Sequence, residues 1–271
     1  MRTRFCTATL LAAAAFGVAW GVMPVAGQTA AYRAPRTADG KPNVNGIWQA
    51  LNEANWDIEG HSAAPGRVVA LGAADAVVPG LGIVEGGPLP YLPAALAKKK
   101  ANFEKRLTLD PEIKCYLPGV PRAMYQPFPF QIIQSQKHIM IVYEYAGAVR
   151  TVYMDNHTEA PADSWMGWSN GHWEGETLVI DTTGFNDLSW FDRAGNFHSD
   201  GLHVVERISA RSPETLTYEA TIEDPKVFTR PWKISMPLYR HVEANAQILE
   251  FRCVEFVEDL MYGHLRKQPS Q

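Results

Sequence analysis

A histidine beside a carboxylate can move protons near neutral pH, with the carboxylate deciding which ring nitrogen carries the proton. Two stretches of this chain offer that pairing. "DNH" sets Asp155 and His157 two residues apart, on one face if the strand before them continues, and "FHSDGLHVVER" puts His198 in a loop that feeds a strand carrying Glu206 and Arg207. Arg150 and Arg207 supply guanidinium groups that can stabilise negative charge developing on a substrate. These six residues are the candidates for acid–base work, with His157 or His198 as acid or base and Asp155 or Glu206 orienting. They meet only if neighbouring strands bring both loops to one end of a sheet. The competing account is that loop histidines are structural or solvated and that Glu206 and Arg207 pair across strands.

A ligand needs walls as well as reacting groups. Of eight tryptophans, Trp165, Trp168, Trp173 and Trp190 fall within residues 165–190, which suits either an aromatic wall or large side chains plugging a core. Tyr143, Trp165 and Trp190, with the polar Asn186 and Asp192, are the ligand-binding candidates. His157, His172, His198 and His203 show no compact H-x-x-x-H spacing, so no metal site is assigned. No glycine-rich phosphate loop is present, no organic cofactor is expected, and Ser169 in "GWSNG" is not assigned as a hydrolase nucleophile.

The elements that must position these groups are mostly strands. Residues 128–155 read as three strands broken near Ser135 to Lys137 and at Ala146-Gly147. Residues 171–185 read as a hairpin around Glu174-Gly175, and residues 203–224 as two strands turning at Ser212-Pro213-Glu214. Residues 230–256 read as a last pair around Ala244-Asn245, and "NVNGIWQ" as a short early strand. Hairpins this closely spaced predict an all-β, antiparallel, up-and-down lipocalin-like β-barrel, since closure removes the sheet edges. In the strand from His203, Val204, Glu206 and Ile208 share a face opposite His203, Val205 and Arg207. Charged and apolar residues mixed on single faces predict a partly polar cavity.

The remaining segments are of other kinds. Residues 52–92 lack any sustained period and read as a long irregular excursion over a surface or a pocket. "PYLPAALAKKKANFEKR" predicts one helix, opened by Pro93 and patterned by Leu96, Lys100 and Phe103. The expected organisation is a signal peptide over 1–27, an arm with the irregular segment and helix over 28–127, a barrel over 128–263, and a tail over 264–271.

Arg2 and Arg4 ahead of an apolar run to Met23, then "PVAGQTA", make a secretory signal with cleavage after Gly27; a membrane anchor is the alternative. Cleavage removes Cys6 and leaves Cys115 and Cys253 in an exported, periplasmic or secreted chain, where they are expected to form a disulfide rather than stay as separate buried thiols. It also removes two of the 25 basic residues and none of the 29 acidic ones, so the net charge moves from −4 to −6. That balance predicts no nucleic-acid partner and no anionic-membrane partner, and no stable membrane insertion is expected once the signal is gone.

Several long phrases, "CYLPGVPRA", "PFPFQIIQS", "WEGETLVIDTTGFND", "FHSDGLHVVER" and "IEDPKVFTRPWK", together resemble a family of exported, uncharacterised bacterial proteins common in soil bacteria. The resemblance spans residues 46–263 and implies a secreted β-barrel; it assigns no catalytic residue. "GIW" over residues 46–48 is similar to the Gly-x-Trp of lipocalins.

Three functions fit these features. One is an exported enzyme acting on a small hydrophobic or aromatic molecule by cofactor-independent proton transfer, of lyase, isomerase, cyclase or hydrolase type. The second is a non-catalytic periplasmic binding protein for such a molecule. The third is a structural or assembly component. Residues 171–199, dense in Asn, Asp, Trp, Arg and His, are expected to form the rim of a site. Oligomeric state is left open.

Overall fold

Alternating side chains in closely spaced strands do close on themselves here. The structure, a computed structural model, describes residues 32–65, 76–154 and 158–265. The signal peptide, Asp155, His157 and residues 266–271 lie outside the described residues.

Ten strands form one sheet: β1 (Gly46–Gln49), β2 (Val84–Glu85), β3 (Phe130–Gln134), β4 (His138–Tyr143), β5 (Val149–Tyr153), β6 (Trp168–Glu174), β7 (Thr177–Thr183), β8 (His203–Ser212), β9 (Thr215–Glu223) and β10 (Trp232–Arg240). β1 pairs with both β3 and β10, which closes β1 and β3 to β10 into a nine-stranded barrel, while β2 adds two residues to another stretch of β10. The barrel therefore takes one strand from the segment before residue 128. Inward positions are apolar along each strand: Ile139 and Ile141 on β4, Leu178 and Ile180 on β7, Val204 and Ile208 on β8 are all buried. The β6–β7 hairpin turns on Gly175, whose φ of +61° a tight turn demands.

Three expectations need correction. The barrel is mixed: β5 and β6 run parallel, with Val152 opposite Ser169 and Tyr153 opposite Asn170, a pairing that a tight hairpin turn does not make. The second strand of the predicted last pair does not form. Residues 241–256 carry no strand, because β1 and β2 already occupy the side of β10 away from β9. Cys253 thus sits in a strap and not in a strand, yet the Cys115–Cys253 disulfide is present, with 5.7 Å between the Cα atoms. Helix α1 (Pro93–Glu104) buries Ala95 and Asn102, leaving Leu96 and Phe103 substantially exposed, so the Leu96, Lys100, Phe103 stripe is not its packing face. The described residues add two short helices, α2 (Arg106–Leu109) and α3 (Val257–Tyr262).

Strand direction decides which loops meet. The ends of β1, β4, β7 and β9 and the starts of β3, β5, β6, β8 and β10 share one end of the barrel. Residues 184–202 lie there, packed on α1 through Gly195 (φ +83°), where an added Cβ would stand 2.8 Å from the Phe103 backbone nitrogen. Among the described residues no helix is long and apolar enough to cross a membrane.

Candidate functional site

The residues singled out by type fall into three places. Inside the barrel, Arg150 of β5 is 2% exposed and Glu206 of β8 is 0% exposed, and they form an ion pair. Arg150 also donates through Nε to Ser169 Oγ at 2.7 Å and through Nη2 to Thr182 Oγ1 at 2.7 Å, and Nη1 lies 3.1 Å from Glu206 Oε1. The Tyr218 hydroxyl donates to Glu206 Oε1 at 2.8 Å. Five consecutive strands are thereby linked by one polar hoop, and each charge has its partners within it. Tyr143 lies beside the hoop, its hydroxyl pKa pushed up to about 12 by burial. Gly167 to Gly171 does spell G-x-S-x-G, but Ser169 sits inside β6 and is held by Arg150, not on a strand-to-helix elbow. Arg207 points the other way, paired with Glu174 at 2.8 Å on the outer face, so it does not join Arg150 and Glu206.

At the loop end, residues 184–202 form a plug. Phe185, Phe191, Asp192, Asn196, Phe197 and His198 are buried, so these members of the expected rim pack into the barrel end, while Arg193 of the same stretch reaches a cleft. His198 Nδ1 meets the Ser199 carbonyl at 2.9 Å, so that nitrogen carries the proton and Nε2 accepts from the Ser189 hydroxyl at 2.7 Å. Burial holds the His198 pKa below the ordinary imidazole value. Such a pair resembles a base with its nucleophile, but both residues are buried and Gly119 packs on Ser189 so closely that a Cβ there would lie 2.3 Å from its Oγ. Trp190 is buried in the same plug, Trp165 packs on Tyr116 at 4.7 Å, and Asn186 accepts the Leu188 amide at 3.2 Å as a turn residue does.

Asp192 is fully buried and accepts the Ile58 amide at 2.9 Å and the Asn196 side-chain amide at 2.6 Å. Burial, reinforced by the charge of nearby Asp57, pushes its pKa up to about 7. Asp57 is raised as well, chiefly by burial. A raised carboxyl binds more protons folded than unfolded. Its stabilisation is therefore complete below about pH 4, where the unfolded chain also holds the proton, and is lost as pH rises towards 7. Comparing Asp192→Asn with wild type by urea unfolding at several pH values, we expect the difference to shift in the variant's favour from about pH 4 to 7. Parallel curves would remove Asp192 from the titrating set.

The third place was not anticipated from the sequence. A chain of alternating charges, Asp110, Arg122, Glu112, Arg193 and Glu258, leads from the buried loop end into a cleft of about 420 Å³. Arg122 is buried and donates to Asn55 Oδ1 at 2.9 Å and to Asp110 Oδ1 at 3.1 Å. Arg193 Nη2 donates to Glu112 Oε1 at 2.8 Å and Nη1 to Glu258 Oε1 at 3.3 Å, and its guanidinium lies 4.6 Å from the Trp56 ring centre. Burial alone would raise the Glu112 pKa, but Arg122 and then Arg193 hold it down at about 2. Phe128, Tyr145, Phe251 and Phe256 line the rest of the cleft, with Phe251 5.0 Å from Phe128 and 5.1 Å from Tyr145. One wall is the strap after β10, anchored by Cys253 and by the Phe256 amide on the Ile113 carbonyl at 2.8 Å. The available signal was "DPEIKC", two acids beside a cysteine expected to be bonded.

The described residues contain no group of three or more His, Cys, Asp or Glu able to hold a metal. Fold and cleft together define a closed mixed β-barrel plugged at one end, with an aromatic cleft against that end. Compared with known proteins, the chain matches no family model and no curated sequence.

Proposed function

We propose that this is an exported binding protein for a small hydrophobic or aromatic molecule, held in the cleft between the plugged barrel end and the C-terminal strap. The observation that carries the reading is the cleft itself. Its volume of about 420 Å³ lies in the range of small-molecule sites, and apolar and aromatic walls with a few converging polar groups are their usual lining. The buried Arg150, Glu206 and His198 spend their hydrogen bonds on neighbouring protein groups, which favours binding over turnover. Export is supported by the basic and apolar start of the chain and by the Cys115–Cys253 disulfide, a bond that persists in oxidising compartments.

A second reading, acid–base catalysis, is favoured by the Asp192 carboxyl raised to about 7 beside Asp57. It requires the plug to open, because Asp192 is 0% exposed.

Titration with prodan, a neutral naphthalene dye, tests the first reading. Saturable binding to the wild type is expected, weakened about tenfold, or about 1.4 kcal/mol, in Phe251→Ala. Equal affinity in the two proteins would remove the cleft as the binding site.

A further inference from the structure

The strap brings an aromatic ring and a carboxylate, Phe256 and Glu258, to the cleft it covers. The carboxylate has a single-point hold on Arg193: Nη1 to Glu258 Oε1 at 3.3 Å, against 2.8 Å for the Nη2 bond to Glu112 Oε1. Short distances mark the stronger charge-assisted bonds, so Glu258 is the looser partner. The two sides of this pair differ in freedom. Arg193 is fixed by Glu112 and stacked on Trp56, and Glu112 is fixed in turn by Arg122 and Asn55. The Glu258 side chain is 29% exposed, against 22% for Arg193, and its hold on Arg193 is the single 3.3 Å contact. Burial also raises the Glu258 pKa despite Arg193, so its charged form is incompletely compensated where it sits.

We infer that Glu258 is a tethered stand-in in a carboxylate subsite, and that the ligand is an aromatic carboxylate whose acid group takes the Arg193 Nη1 donor while its ring lies against Phe128, Tyr145 and Phe251. This rests on the cleft being the ligand site. A carboxylate for a carboxylate keeps the charge around Arg193 unchanged and releases Glu258 to solvent. An organic cation would instead have to draw Glu258 off Arg193, taking the partner of Nη1 away from a guanidinium that Glu112 and Trp56 hold in place.

The test compares 2-naphthoate with its neutral counterpart 2-naphthamide by calorimetry, on wild type and Glu258→Gln. Glu258→Gln has nearly the shape of the native side chain and removes the competing charge. The expected result is naphthoate binding tightened about five- to tenfold, with naphthamide changed less than about twofold. Naphthamide binding to both proteins with naphthoate unchanged or weakened by the substitution would overturn the carboxylate subsite and leave the cleft reading standing. Equal tightening of both compounds would also overturn it, since Glu258 would then only fill space. Binding of neither compound to either protein would overturn the cleft reading, and the subsite with it.

Discussion

Replacing Glu206 with Gln is expected to cost about 3–5 kcal/mol of stability, read as a lowered urea midpoint, because it leaves the buried Arg150 charge without its counter-ion. The substitution keeps volume, so a cavity does not enter. It also turns an NH2 group towards guanidinium donors, which cannot accept from it. The double change Arg150→Met with Glu206→Leu is expected to recover most of the loss, since an apolar pair of similar size avoids desolvating two ions. The residual cost falls on Ser169, Thr182 and Tyr218, and the first two already share a hydrogen bond at 3.2 Å. A Glu206→Gln protein within roughly 1 kcal/mol of wild type would mean that Arg150 is satisfied without the negative charge. The double variant should keep its prodan affinity, because the hoop is inside the barrel and none of its members lines the cleft. Lost affinity in a folded double variant would move the site inward.

Removing the disulfide is the second large effect. Cys115 and Cys253 are 138 residues apart in sequence, so the bond restricts the unfolded chain strongly, and Cys115→Ser with Cys253→Ser is expected to cost about 2–5 kcal/mol. It should also weaken prodan binding by about tenfold or more, since the strap that carries Phe251, Phe256 and Glu258 loses its covalent anchor. The two readouts are separable: thermal unfolding reports the first and dye titration the second. Unchanged dye affinity would show that the ring contacts of Phe251 and the Phe256 amide bond seat the strap without the disulfide.

Strands were legible where alternation and turn chemistry agree. Phe130–Gln134, His138–Tyr143 and Val149–Tyr153 lie within the predicted run, and the turns at Gly175 and Pro213 are where the residues call for them. Shared faces were legible too, with Val204, Glu206 and Ile208 on one side, and the structure turns that side inward. The missing last strand has a different cause. Residues 246–256 carry strand-like text, but pairing needs a free edge, and an edge is a property of the closed sheet and not of the segment.

The candidate site was the least legible part. Asp110, Glu112, Arg122, Arg193 and Glu258 come from four separate short segments, the last of them α3, with no spacing that marks them as a set. Trp190, Asp192 and His198 stood out by type, yet type does not say whether a polar loop lines a mouth or plugs it. That depends on what the loop packs against, here α1, Gly119 and the residues around Asp57.

By itself, the sequence determined most of the strand content, the barrel class, which residues share a strand face and the Cys115–Cys253 bond, because period-two patterning, turn residues and a lone cysteine pair are local or combinatorial facts. Only the tertiary structure decided the closure through β1, the parallel β5–β6 pair, the burial of His198 and Asp192, and the charged cleft under the strap. These depend on which distant segments share an end of the barrel, and that follows from strand order and direction once the sheet has closed.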